Sequence, residues 1–136
     1  MMVLVDTPIW SYAFRSNNAD FENYIESFKR LIIERRVALI GAIRQEILSG
    51  YSDLNKFEAL KNKLSGFENV RVIDADYIQA AMFANICRKN GVQGSSVDFL
   101  ICAVAVRLQM QIYTTDKDFY NYQKHLPIKL YKLIVN

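Results

Sequence analysis

Apolar positions along this chain alternate between short continuous runs, which suit buried strands, and longer stretches with helical spacing. Met2 to Val5 is the first such run and ends at Asp6. Thr7 is placed to cap a helix and Pro8 suits its first position, with Ile9, Trp10, Ala13 and Phe14 following. From Asp20 to Arg36, Phe21, Tyr24, Ile25, Phe28, Leu31 and Ile32 share one helical face, opposite Glu22, Glu26, Lys29 and Arg30. Val37 to Ile40 reads as a strand. Ala42 to Ser49 reads as a short helix carrying Arg44, Glu46, Ile47 and Leu48, with Gly50 as its stop.

Asp53 to Leu64 repeats Leu54, Phe57, Leu60 and Leu64 and predicts a surface helix ended by Gly66. Val70 to Ile73 predicts a strand; Asp74 or Asp76 caps the next helix, which runs through Ile78, Ala81, Met82, Asn85 and Ile86 to Gly91. Residues 94–119, GSSVDFLICAVAVRLQMQIYTTDKDF, form the organising stretch. Ser95 or Ser96 caps a core helix with Asp98 in its first turn, Gln109 to Gln111 break it, Ile112 to Thr114 make a strand, and Asp116 and Asp118 follow in a loop. Ile128 to Ile134 offers a last edge strand, with Pro127 at its start.

Strands alternating with helices call for an α/β fold with a mainly parallel central sheet and helices on both faces, because parallel strands need crossover connections. Right-handed crossovers gather the carboxyl ends of such strands on one edge, where ligands sit. Asp6 and Asp116 each follow a strand, Asp98 opens a helix and Glu46 lies early in one, so all four are expected at that edge. At 136 residues and 51% hydrophobic, residues 1–136 are expected to form a single domain.

Composition narrows the function classes. No apolar run reaches the roughly 18 residues that span a bilayer, and the first residues lack the basic region and cleavage site of a secretory leader, so a cytoplasmic protein is expected. Cys87 and Cys102 fall among apolar neighbours with no CxxC, which predicts buried thiols rather than a disulfide or zinc site. The lone histidine, His125, stands far from any candidate nucleophile, which disfavours a serine or cysteine hydrolase. There is no GxxxxGK[ST] and no GxGxxG. An aspartyl phosphatase of the HAD class wants an acid two residues after Asp6, where this chain has Pro8.

The acids remain. Singly, each has an ordinary role: Asp6 as a cap, Asp98 answering the helix dipole, Glu46 on a solvated face, Asp116 or Asp118 shaping a turn. Together, flanked by apolar residues, they are expected to be semi-buried and crowded, and crowded carboxylates resist ionising unless a cation compensates them. Oxygen ligands without Cys or His select Mg²⁺ or Mn²⁺, and such a centre activates water for phosphate-ester hydrolysis. With Asp6, Glu46, Asp98 and Asp116 assigned to it, ten acidic side chains face 17 basic ones elsewhere, a surplus of +7 that suits a polyanionic substrate.

The segments VDTPIW, RQEILSG, VDFLICAVAV and IYTTDKDF, in this order and spacing, resemble the PIN-domain nucleases and, at this size, the VapC-type toxins of toxin–antitoxin pairs. The resemblance runs from Val3 to about Tyr131. It implies a three-layer α/β/α fold, a Mg²⁺- or Mn²⁺-dependent endoribonuclease, a homodimer, and inhibition by a cognate antitoxin. Asp6, Glu46, Asp98 and Asp116 match the four acidic positions, and Asp118 matches a second acid that stands in for or supports Asp116. From chemistry alone, Arg15, Arg44 and Lys117 lie near the acidic segments as candidate RNA phosphate contacts. Thr7, Thr114 and Thr115 are placed to orient a carboxylate, though local cap or turn bonds are their ordinary role, and Ser95 and Ser96 are explained by capping. Trp10, Tyr12, Phe14 and the aromatic face of the second helix suit a core, a dimer contact or an antitoxin groove better than base stacking. A catalytically silent PIN-like module that binds RNA or protein is the alternative from another class.

Overall fold

The computed structural model describes residues 1–15 and 19–133. Its sheet is parallel and small. Strand β1 (Val3–Val5) is central, with β2 (Val37–Ala38) on one side and β3 (Gln111–Tyr113) on the other. Val3 pairs with Val37 and with Gln111, Leu4 with Ala38 and Ile112, and Val5 with Tyr113. All of β1 is buried, as a strand covered on both faces requires. The expected parallel sheet flanked by helices is what forms.

The crossovers are helical. Helix α1 (Thr7–Phe14) follows β1, a 3-10 turn over Ala19–Phe21 leads into α2 (Glu22–Ile33), and α3 (Gly41–Ser49) and α4 (Leu54–Leu64) follow β2. Helix α5 (Asp74–Lys89) packs along α6 (Ser96–Arg107), and α7 (Asp118–Gln123) comes after β3. Every residue from Phe99 to Ala105 on α6 is buried, which is why its sequence is apolar all round rather than striped. Trp10 is fully buried, edge-on to Phe28 and Phe67, and its indole N–H donates to the carbonyl of Val5 at 3.0 Å. That bond ties α1 back to the strand it leaves.

Two strands expected from the sequence shrink to single bridges. At Val70 to Ile73, only Asn69 bridges Leu39, because the backbone beyond it serves a helix start instead. The Ile73 N–H donates to the Asp76 carboxylate at 3.0 Å and the Arg71 carbonyl accepts from Arg107 at 2.9 Å, so neither is available to a ladder. At the C-terminal end, Leu130 alone bridges Ile112, and Ile134 of that expected strand lies outside the described residues. Two further differences concern helix starts. Asp6, not Thr7, caps α1, accepting from the Thr7 N–H at 2.8 Å, which puts Pro8 one place deeper in the first turn. The segment after Asp116 is a short helix rather than a loop, since Phe119 and Tyr122, one turn apart, both turn into the core.

Asp76 is buried and grips Arg107 through both carboxylate oxygens, at 2.7 and 2.9 Å, fixing the start of α5 to the end of α6. No helix among the described residues is long and apolar enough to cross a membrane. Cys87 and Cys102 are free and buried, as expected.

Candidate active site

The carboxyl ends of β1 and β3 meet at one edge of the sheet. The Asp6 N–H donates to the Tyr113 carbonyl at 2.9 Å, so the first residue past β1 is registered against the last of β3. Asp6 is 4% exposed, and both of its oxygens accept hydrogen bonds: one from the Thr7 N–H, the other from the Thr114 hydroxyl at 2.8 Å. Thr114 also accepts from the Asp116 N–H at 3.0 Å, and Asp116 in turn accepts from the Asp118 N–H at 2.9 Å. This chain of bonds leads from one acid to the next. Thr114 therefore does orient a carboxylate, beyond the local turn bond expected of it.

Asp98 arrives from the other side. Ser95 caps α6 and accepts from the Asp98 N–H at 3.1 Å, which holds Asp98 in the first turn. Its carboxylate accepts from the Tyr122 hydroxyl at 2.6 Å. Carboxylate oxygens of Asp98, Asp116 and Asp118 lie within 4.8 Å of one another. Glu46 borders the group through Thr7, whose hydroxyl donates to Glu46 Oε1 at 2.9 Å. Its side chain is exposed rather than semi-buried: α3 turns Ile43 and Ile47 inward and leaves Glu46 at the margin of that face.

Electrostatics bind the acids into one system. Burial, opposed by the hydrogen bonds from Thr114 and Thr7 and reinforced by the charges of Asp98 and Glu46, leaves the Asp6 carboxyl raised to about 6. Burial likewise raises Asp98, against hydrogen bonds from Tyr122 and Ser95, and the charges of Asp116 and Glu46 add to the rise. Each acid thus feels others of the set. Burial also pushes the Cys102 thiol up, so it stays protonated and supplies no thiolate. An oxygen-only, like-charged cluster has the chemistry to suit a hard divalent cation: Asp98, Asp116 and Asp118 could hold one, with Asp6 and Glu46 beside them. Asp118, matched in the sequence as a stand-in or support for Asp116, belongs to this trio together with Asp116.

The three basic candidates separate. Arg15 and Lys117 are exposed. Arg44 instead donates to Asn69 Oδ1 and the Leu64 carbonyl, both at 3.0 Å, and to the Phe67 carbonyl. Three of its five N–H donors are engaged within the fold, closing the turn after α4. Tyr122 was missed in the sequence. Its signal was there: a tyrosine one turn after Phe119 on an inward face needs a partner for its hydroxyl, and the acids are the nearest acceptors. Tyr12 similarly shares a hydrogen bond with Thr115 at 2.9 Å while its ring stacks on Phe21.

The PIN domain profile matches residues 3–125. The chain belongs to the PIN domain family, in its VapC-type group. It is similar to the VapC ribonuclease Mb1587 of Mycobacterium bovis, 34% identical over 122 residues, covering 87% of this chain and 89% of that protein. In three dimensions it is similar to FitAcB from Neisseria gonorrhoeae, with TM-score 0.78, 19% identity and coverage of 96% of this chain and 97% of that one. VapBC2 from Rickettsia felis, bound to a promoter DNA fragment, superimposes with TM-score 0.75 at 17% identity, covering 96% and 98%. At such identities these two structures speak for the fold.

Proposed function

We propose that the chain is a Mg²⁺- or Mn²⁺-dependent endoribonuclease, acting as the toxin of a toxin–antitoxin pair. The observation that carries this reading is the trio Asp98, Asp116 and Asp118, with carboxylate oxygens within 4.8 Å at the carboxyl ends of parallel strands. Bound there, the cation supplies Lewis acidity toward water and phosphate oxygens and offsets charge developing on the phosphodiester. The chain's own residues do the rest. Asp98, Asp116 and Asp118 hold the ion. Asp6, fixed by Thr7 and Thr114, contributes buried negative charge from the β1 side. Glu46 Oε2 makes no hydrogen bond among the described residues and is free to orient a water or accept its proton. Arg15 and Lys117 contact the RNA backbone.

RNA as the substrate is supported by the 34% identity to a VapC ribonuclease. An antitoxin partner is supported by a shared fold with a toxin-antitoxin complex from Klebsiella pneumoniae, at TM-score 0.62 and 16% identity. A cytoplasmic homodimer completes the reading, on family resemblance. Induced expression in a bacterial host tests it: growth arrest with loss of specific RNAs, absent for Asp98→Asn at equal protein level, is the expected outcome. Normal growth with intact RNA on expression of folded protein contradicts the toxin reading.

A further inference from the structure

Tyr122 sits apart from the acids in type but not in space. It is fully buried, and its ring lies against Phe99 at 5.0 Å and Phe119 at 5.1 Å between centroids. Gly94 closes the third side: a Cβ there would collide with the Tyr122 hydroxyl and the ring carbons next to it. Held on these sides, the phenol donates a hydrogen bond to Asp98 Oδ2 at 2.6 Å. The distance is that of a charge-assisted O–H···O⁻ bond.

We propose that Tyr122 is a positioning residue for the divalent cation, and the proposal rests on the metal-centre reading above. Asp118 and Tyr122 are one helical turn apart on α7, four residues from each other, so they lie on the same side of that helix. One short helix therefore presents an acid of the trio and grips the acid that comes from α6. Without the grip, Asp98 faces the charge of Asp116 with Ser95, at the cap of its own helix, as its remaining hydrogen-bond partner. With it, the carboxylate is held in one rotation before any ion arrives, so little ordering is left to binding. Gly94 is part of the device, because only the absence of a side chain lets the hydroxyl reach Asp98.

The test is Mn²⁺ affinity, read from the electron paramagnetic resonance signal of free Mn²⁺, on the unmodified protein and on Tyr122→Phe, Gly94→Ala and Asp98→Asn, with thermal melts in chelator. Tyr122→Phe keeps the ring and removes the grip; Gly94→Ala keeps both groups and pushes them apart. The expected result is an affinity about 10–100-fold lower in each that folds, with catalysis in Tyr122→Phe recovering at saturating Mn²⁺. A purely structural tyrosine would lower the melting temperature and leave affinity alone. Folded Tyr122→Phe or Gly94→Ala binding Mn²⁺ as tightly as the unmodified protein, while Asp98→Asn binds weakly, overturns this inference and leaves the metal centre standing. No binding by the unmodified protein overturns both.

Discussion

Thr114 donates to Asp6 Oδ2 at 2.8 Å while accepting from the Asp116 N–H at 3.0 Å, so one hydroxyl joins the acids that follow two adjacent strands. Asp6 and Asp116 are separated by most of the chain, yet their relative position is set within one residue's side chain. Thr114→Val keeps the shape and breaks the link. Removing the hydroxyl deletes the hydrogen bond that favours ionised Asp6, so its carboxyl, already at about 6, is expected to rise further in the metal-free protein. Carbon-detected NMR titration of the side-chain carboxyls reads this directly; an unchanged Asp6 titration would refute it.

Asp6 also makes stability depend on pH. Its ordinary value is 3.8 and its folded value about 6, so the folded state keeps a proton that the unfolded chain releases. The contribution is intact below 3.8 and is lost as pH rises through about 6. Its full size is up to about 3 kcal/mol. Urea unfolding in chelator across that range is expected to show the unmodified protein losing stability relative to Asp6→Asn, and Mg²⁺ is expected to restore it above pH 6 by binding only the folded state. Parallel curves for the two proteins would show that Asp6 is not buried against its neighbours.

The last acidic segment holds two acids in unequal settings. Asp116 is half-buried and tied to Thr114, whereas Asp118 is exposed at the start of α7. Loss of an outer support around a metal costs about 10–100-fold, so loss of Asp116 itself is expected to cost more than about 100-fold in cleavage. Asp118→Asn is expected to cost less. Single-turnover rates at fixed Mn²⁺ rank the two, and the reverse order would move the principal ligand to Asp118.

Arg44 separates stability from binding. With three donors held by Asn69, Leu64 and Phe67, Arg44→Ala is expected to lower the melting temperature and leave RNA affinity unchanged. Arg15→Ala and Lys117→Ala are expected to do the opposite, each lowering the slope of log affinity against log salt by about one ion or less. Fluorescence anisotropy with a labelled RNA in Ca²⁺, over a salt series, distinguishes the cases. An Arg44 variant that melts normally but binds poorly would return that residue to the RNA surface.

Much of this was legible in the sequence because burial writes itself plainly on β1, α6 and β3: Val3 to Val5 and Phe99 to Ala105 have little polar content, and Asp6, Asp98 and Asp116 interrupt or border that pattern. The shortness of the sheet was not legible. Val70 to Ile73 has the composition of a strand, but Asp76 and Arg107 capture its backbone groups, and that capture depends on a contact across 31 positions. The internal bonds of Arg44 were hidden for the same reason, since proximity in sequence to Glu46 says nothing of the carbonyls that close around it. Tyr122 looked like one more aromatic residue because its function depends on Gly94 leaving space and on Asp98 arriving from another helix.

Cleavage of a total RNA pool by the purified protein bears most directly on the metal centre proposed at Asp98, Asp116 and Asp118, with Asp6 and Glu46 beside them. Reactions with Mg²⁺ or Mn²⁺, with chelator, and with Asp98→Asn are run together and the new RNA ends are sequenced. Discrete fragments that require the divalent ion and vanish in the variant are expected. Cleavage that persists in chelator or in Asp98→Asn, or no cleavage by folded protein that binds Mn²⁺, would contradict the proposed metal-dependent nuclease.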